Sequence, residues 1–376
     1  MFDFFKTECP VDDTDKKWIE DSLFWIYSPA RKIKFKDFDF IDTTKYFPSD
    51  NLQLKEIHVY KIFEKIKRHM KMPEDLTCEV RLVEPDRIPL PEGLRIEPNN
   101  QDPLSFKGYM EDNKFIIDLN TKYLSAPFYI VSMIAYSLTF YKLIKEELLE
   151  NVSGFTDELA TLAFGFGVFK ANTIINHNQW HGTSHYGWSV GRKGFLTQQM
   201  FGYALAVASF IKEEKEPEWS KYLCRDVKGY FNKGIKFIQA NQDEYLKYKK
   251  ELIFDTDSPL SPPDYIYTRK NYFKKGPLAS VSEMKNDFKH GLTRYYHRNG
   301  VLWSEWEYKN NVPWNVAFNH NNKSKPQETG TLKNGTGSLY SYLDNDELSF
   351  IAYYENGKLL KIDRFKDEYA EPTTNN

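Results

Sequence analysis

Cysteine is scarce in this chain: three in 376 residues, at Cys9, Cys78 and Cys224, scattered and without paired spacing. An odd, dispersed set excludes a disulfide framework or a zinc knuckle as the source of stability. It points to a reducing, cytoplasmic compartment. Net charge is equally slight, −2 from 51 basic and 53 acidic residues, so no global field draws nucleic acid or an anionic membrane. The local run Lys65-Ile66-Lys67-Arg68 reads as a solvated helix face. The longest apolar run, around Phe128–Ala135, ends at Ser137 and falls short of the ~20 residues of a membrane span. The opening residues Met1 to Lys6 are too few and too acidic for a signal peptide.

What the chain has in quantity is apolar and aromatic side chains, 41% and 16% of its residues. That supports a packed core, in a length that accommodates two domains. From Trp18 to about Ile211 the pattern mixes helix and strand. Lys17–Trp25 and Leu52–Met70 have helical spacing, with Leu54, Ile57, Ile62 and Ile66 as expected core contacts. Residues 78–83 alternate like a strand, and Gly108–Leu119 reads as a hairpin turning at Asp112-Asn113.

The helix beginning near Pro127 is apolar on nearly every face, so it is expected at the centre of the fold. A second helix is expected from Thr156 or Asp157, either of which suits an N-cap. It runs into Phe164-Gly165-Phe166-Gly167, where glycines allow close helix approach. A third begins near Thr197. Between them, 176–194 reads as a Trp-, Gly- and His-rich loop, and Trp219–Lys250 as a further charged helix.

Residues 255–263, DTDSPLSPP, read as linker. Beyond about Ser282, Tyr296, Phe318 and Tyr342 recur, as do Asn310, Asn334 and Asn356. This spacing predicts a hairpin repeat with Asn-Gly turns. No unit of that size buries a face alone, so the units stack into one meander. The expected domains are 1–250, a linker over 251–282, a β-repeat domain over 283–370 and a disordered tail over 371–376.

Two resemblances sharpen these expectations. Cys9-Pro10-Val11, Trp18-Ile19-Glu20, Thr44-Lys45-Tyr46-Phe47-Pro48, the stretch Asp157 to Asn172, Gly187-Trp188-Ser189 and Gly202-Tyr203-Ala204-Leu205-Ala206 together resemble a set of bacterial zincin-like proteins over about 215 residues. The resemblance implies an α+β fold, mostly helical with a small sheet. In zincins, HExxH holds zinc through two histidines one turn apart, with the glutamate as base. Here those five positions are Tyr136, Ser137, Leu138, Thr139 and Phe140, and Glu158 falls where the family has a further acid. None of the replacements can hold zinc or serve as that base, so the expectation is a pseudoenzyme without cofactor. The second resemblance, over about Asp287–Asp363, is to MORN-type repeats of bacterial antitoxin-like proteins. It implies an antiparallel meander that serves as an attachment surface for a protein partner.

The candidate site residues carry alternatives. Tyr136, Ser137, Phe140 and Glu158 either fill the core where the metal would sit or line a remnant pocket, where Glu158 could meet the Tyr136 hydroxyl. His177, His181 and His185 form the one HxxxHxxxH cluster. In a Gly-rich loop they read as exposed or hydrogen-bonded histidines, with zinc as the alternative. Trp180, Trp188 and Phe195 fold the loop down or anchor a partner; Trp303, Trp306 and Trp314 pose the same choice in the repeats. The resulting expectation is a scaffold, inhibitor or antitoxin-like immunity factor acting through protein binding. A divergent metal-dependent hydrolase using the histidines and a small-ligand sensor in the vacated pocket are the alternatives.

Overall fold

The computed structural model describes residues 7–41, 53–74, 76–83, 108–112, 114–149, 152–181, 186–192, 194–254, 261–273, 276–343 and 345–365; within these, the side chains of 175–181, 186–192, 248 and 251–254 lie outside the description. The chain is α+β and divides into two compact units, Met1–Pro263 and Asp264–Asn376.

The first unit is built on α3 (Pro127–Glu146), whose residues from Tyr129 to Thr139 are all buried. Pro127 opens it at a position where a missing N–H costs nothing. Its mean hydropathy of 1.3 and 20 residues would suit a membrane span, yet 78% of the apolar stretch is buried within the fold. That is the place a helix apolar on all sides must take in a packed domain. Beside it lie α1 (Asp13–Tyr27) and α2 (Glu56–His69), and a small sheet of β1 (Cys78–Val83), β2 (Tyr109–Glu111) and β3 (Lys114–Asn120). β3 is central, parallel to β1 and antiparallel to β2. On α2, Val59, Ile62, Phe63 and Ile66 face inward, whereas Ile57, expected in the core, is 54% exposed. It sits in the first turn, on the opposite side of the helix from Val59.

After α3 come α4 (Gly154–Thr161) and α5 (Gly167–Asn172), joined by a widened turn, Leu162–Phe166. The cap of α4 is Ser153, whose Oγ accepts the Thr156 N–H at 3.2 Å, so neither Thr156 nor Asp157 takes that role. α6 (Gln198–Ile211) starts where its sequence signal places it, with the Thr197 hydroxyl accepting from Met200 N–H at 3.2 Å. Within the stretch expected as a loop over 176–194, β4 (Ile175–His181) and β5 (Tyr186–Arg192) are paired antiparallel strands. Gly-rich composition masked their alternation. The charged helical stretch expected over 219–250 holds two helices, α7 (Arg225–Ala240) and α8 (Gln242–Phe254). α6 and α8 meet α1 through one buried cluster: Tyr203 and Tyr245 donate their hydroxyls to Glu20 Oε1, the latter at 2.5 Å. Burial and the carboxylate lift both phenols well above their ordinary values.

The turn at Gly165 decides the direction of the chain. Its φ of +95° is open to glycine alone at low strain, and a Cβ there would stand 2.1 Å from Asp39 O. Helix carbonyls freed by the turn are answered from outside: Ile41 N–H donates to Gly165 O at 3.0 Å, and His69 Nε2–H donates to Phe164 O at 2.7 Å. Burial holds the His69 imidazole below its ordinary value, against the opposing pull of that carbonyl. A depressed imidazole contributes stability that is present above the unfolded-chain value of about 6.5 and is lost as pH falls through the folded value. His69→Gln is therefore expected to flatten the fall in stability below about pH 6.5, read from denaturant midpoints across a pH series.

The second unit is a meander. β6 (Ile266–Tyr272), β7 (Leu278–Lys285), β8 (Phe288–Tyr296), β9 (Leu302–Lys309) and β10 (Val312–His320) pair antiparallel in order, with a short β11 (Pro326–Gln327) beside β10. β12 (Gly337–Tyr342), β13 (Leu348–Glu355) and β14 (Lys358–Arg364) form a second sheet in the same manner. Within the residues expected as linker over 251–282, β6 and the first part of β7 are sheet.

Two-residue turns recur at one end of this meander. Asn310 and Asn311 have φ of 48° and 67°, and Asn356 and Gly357 48° and 79°, the left-handed pairs that close twisted hairpins. Each turn is tied to a neighbour: Asn311 exchanges two hydrogen bonds with Lys289, Gly335 N–H donates to Trp314 O, and Gly357 N–H to Gly335 O. A matching ladder runs along the other end, from His297 to His320 O at 2.9 Å and from Asn321 to Asp346 at 3.0 Å. Repeat-to-repeat bonding of this kind makes each unit depend on its neighbours.

Candidate functional site

The kink at Gly165 brings together two charged side chains that a straight helix would hold apart. Glu158 on α4 and Lys170 on α5 are twelve residues distant, about 18 Å along a continuous helix. Here Lys170 Nζ stands 2.9 Å from Glu158 Oε1. Both are deeply buried, Glu158 at 1% and Lys170 at 5% exposure. Charges so placed need partners.

Glu158 has three. Besides Lys170, Oε1 accepts from Phe195 N–H at 3.1 Å and Oε2 from Leu196 N–H at 2.8 Å. Gly194, with φ +100°, lets the backbone wrap this closely, since a Cβ on it would lie 2.2 Å from Glu158 Oε1. Phe195 continues over the start of α4 and packs on Phe155 at 5.3 Å between centroids, holding the wrap in place as the folded-down reading of that residue expects. On the other side the Lys170 ammonium lies 4.8 Å above the ring of Tyr136, an attraction that grows with desolvation.

Of the four pocket candidates, the structure therefore gathers Tyr136 and Glu158 around Lys170. Ser137 is wholly buried on α3, and Phe140 is half-buried one turn further along. The cluster can hold a fixed charge pair; it presents no surface. Lys170 and Gly194 were missed in the sequence, although a lone lysine inside the apolar run Gly167-Val168-Phe169-Lys170-Ala171 is a signal for a buried partnered cation. An open groove of about 400 Å³, with Phe40 stacked on Trp219 and Glu214 on its wall, shares no residue with this cluster.

For the histidine cluster, β4 carries His177 and His181 in its backbone, their side chains and all of His185 lying outside the described residues. On a strand, residues four apart share a face, so the helical spacing is not what relates them. Trp180 and Trp188 lie on β4 and β5, paired with Gly187 and Gln179 respectively, and their side chains also lie outside the described residues. Among the described residues no three or more His, Cys, Asp and Glu side chains are grouped to hold a metal ion. The three thiols are free, and burial lifts each above its ordinary value, Cys78 up to about 12. Such thiols are poor nucleophiles.

In the second unit the three tryptophans take part in the sheet's own packing. Trp303 meets Tyr295 and His297, Trp306 lies against Tyr295 and Tyr308, and Trp314 carries the Lys309 ammonium at 4.0 Å. All three keep part of the ring exposed.

No curated protein and no solved structure matches the chain. A family model described as a MORN repeat variant matches residues 289–310 and 347–367. These segments are β8 with β9, and β13 with β14, two corresponding hairpins of the meander. The second unit carries MORN-type repeats.

Proposed function

We propose that this protein acts by binding another protein through its MORN-type repeats, as a scaffold, inhibitor or antitoxin-like factor, and that its first unit is a zincin-like fold turned to structural use. The observation that carries the reading is the buried Glu158–Lys170 pair under Tyr136. At the positions that resemble a metallopeptidase centre, the acid is already neutralised by an internal ammonium and two backbone amides. A side-chain cation held there by covalent connection stabilises the carboxylate without any bound ion. The half-exposed tryptophans of the repeats supply the large, rigid contact area that protein interfaces favour.

Metal content separates this from hydrolysis. Full-length protein purified in the presence of zinc is expected to carry none in stoichiometric amount by elemental analysis, and its melting temperature is expected to be unchanged in chelator. Stoichiometric zinc that disappears in His181→Ala would overturn the proposal. Crosslinking of the full chain to a captured partner is expected to map to residues 264–365; crosslinks confined to the first unit would assign binding elsewhere.

A further inference from the structure

Stacked repeats need a polar cap at each end, because the last unit otherwise leaves its buried face and its backbone edge open. The two outer strands of this meander differ in that respect. β6 has Arg269 and Lys270 side by side at its middle, the charges that discourage pairing with another edge. β14 has Leu359, Leu360 and Ile362, followed by Phe365, at exposures of 45%, 57%, 39% and 55%. Ile362 lies opposite Ala352 on β13, which is buried, as is Leu339 beyond it. The apolar face of this sheet therefore runs out to an edge that no described strand covers.

The edge is also self-complementary. Phe365 donates its N–H inward to Ser349 O at 2.9 Å. By strand alternation the N–H groups of Ile362 and Arg364 then point outward. The one irregularity, an extra residue at Leu360, falls at the start of the strand and leaves Lys361–Arg364 regular. Two such strands related by a two-fold axis through Ile362 would place Ile362 against Ile362. They would also set Lys361 of each chain opposite Asp363 of the other. Within one chain Lys361 and Asp363 already face the same side, 3.0 Å apart, so pairing would build an alternating square of four charges. Moving the axis by one residue along the strand instead sets Lys361 against Lys361 or Asp363 against Asp363.

We propose that the protein forms a two-fold dimer by antiparallel pairing of β14 with β14 of a second copy, centred on Ile362. Dimerisation at this edge and capture of another protein by the repeats are separate properties, and either can hold without the other. The dimer continues the sheet across the axis, satisfies the outward backbone groups and covers the exposed leucine and isoleucine side chains.

Sedimentation equilibrium of the full chain, from low micromolar to submillimolar concentration, is expected to show a reversible dimer. Lys361→Asp and Asp363→Lys are each expected to weaken it at least about tenfold, since each homodimer then opposes like charges twice. An equimolar mixture of the two variants is expected to associate again, as a heterodimer with both cross-pairs attractive. Ile362→Lys is expected to be monomeric, with the melting temperature of the parent at a concentration where the parent is itself monomeric. A parent that stays monomeric throughout overturns the proposal. So does a dimer that survives Ile362→Lys, or a mixture that stays monomeric although both variants melt as the parent does.

Discussion

Replacing Lys170 with methionine is expected to destabilise the first unit by about 3 kcal/mol, and replacing Glu158 with alanine by about 5 kcal/mol, the two ends of the range for breaking a buried pair. The asymmetry follows from what each partner keeps. Without Lys170, the Glu158 carboxylate still accepts from Phe195 and Leu196 N–H. Without Glu158, the ammonium retains the Tyr136 ring, and two amides lose their acceptor. The double variant Glu158→Ala, Lys170→Met removes both charges together. Its cost is expected to fall well short of the sum of the single changes, as directly coupled groups require. Hydrogen exchange of the α4 and α5 amides reads this unit alone and is the suitable measurement, because a chain of two units need not unfold in one step. Additive costs would mean that the pair is not coupled and that the cluster is held by packing.

Gly165→Ala is expected to be about as damaging, about 3–5 kcal/mol, for a different reason. A left-handed backbone disfavours any Cβ by about 1 kcal/mol, and here that atom would also overlap Asp39 O at 2.1 Å. The obstacle is backbone and cannot rotate away. Relief would require shifting the Ile41 N–H bond to Gly165 O or the His69 bond to Phe164 O, and with them the kink that unites Glu158 and Lys170. Gly229→Ala on α7 supplies the control. Nothing lies within 4 Å of its added methyl, so alanine there is expected to stabilise by up to about 1 kcal/mol. Denaturant midpoints of the two variants moving in opposite directions would verify the geometry; equal shifts would contradict it.

Elements with a strong local signal were legible before any coordinates. α3 is apolar on every side and can be nowhere but the centre. β1 alternates, the hairpin of β2 and β3 is marked by its turn residues, α6 by Thr197, and the meander by asparagines at regular intervals. Each of these reports on interactions within a few residues of itself. The strands β4 and β5 read as loop in the sequence, since glycine, serine and histidine interrupt their alternation. Ile57 was misassigned because helical spacing admits more than one face, and only the neighbours of α2 choose between them.

The candidate site was legible to a lesser degree. Tyr136 and Glu158 stood out in the sequence, but the residue that joins them did not. Nothing local relates Lys170 to a glutamate twelve positions earlier; their meeting depends on the left-handed turn at Gly165, and that turn depends on Asp39, Ile41 and His69 from other parts of the chain. By itself, the sequence determined the α+β composition, the buried helix and the repeats. All of these are fixed by side-chain pattern over short distances. Tertiary structure alone decided that Glu158 is paired, with which cation, and that among the described residues the last strand leaves an apolar edge open. Those outcomes rest on which distant segments come within a few ångströms of one another, and burial at such contacts is what makes a charge pair necessary or an edge available.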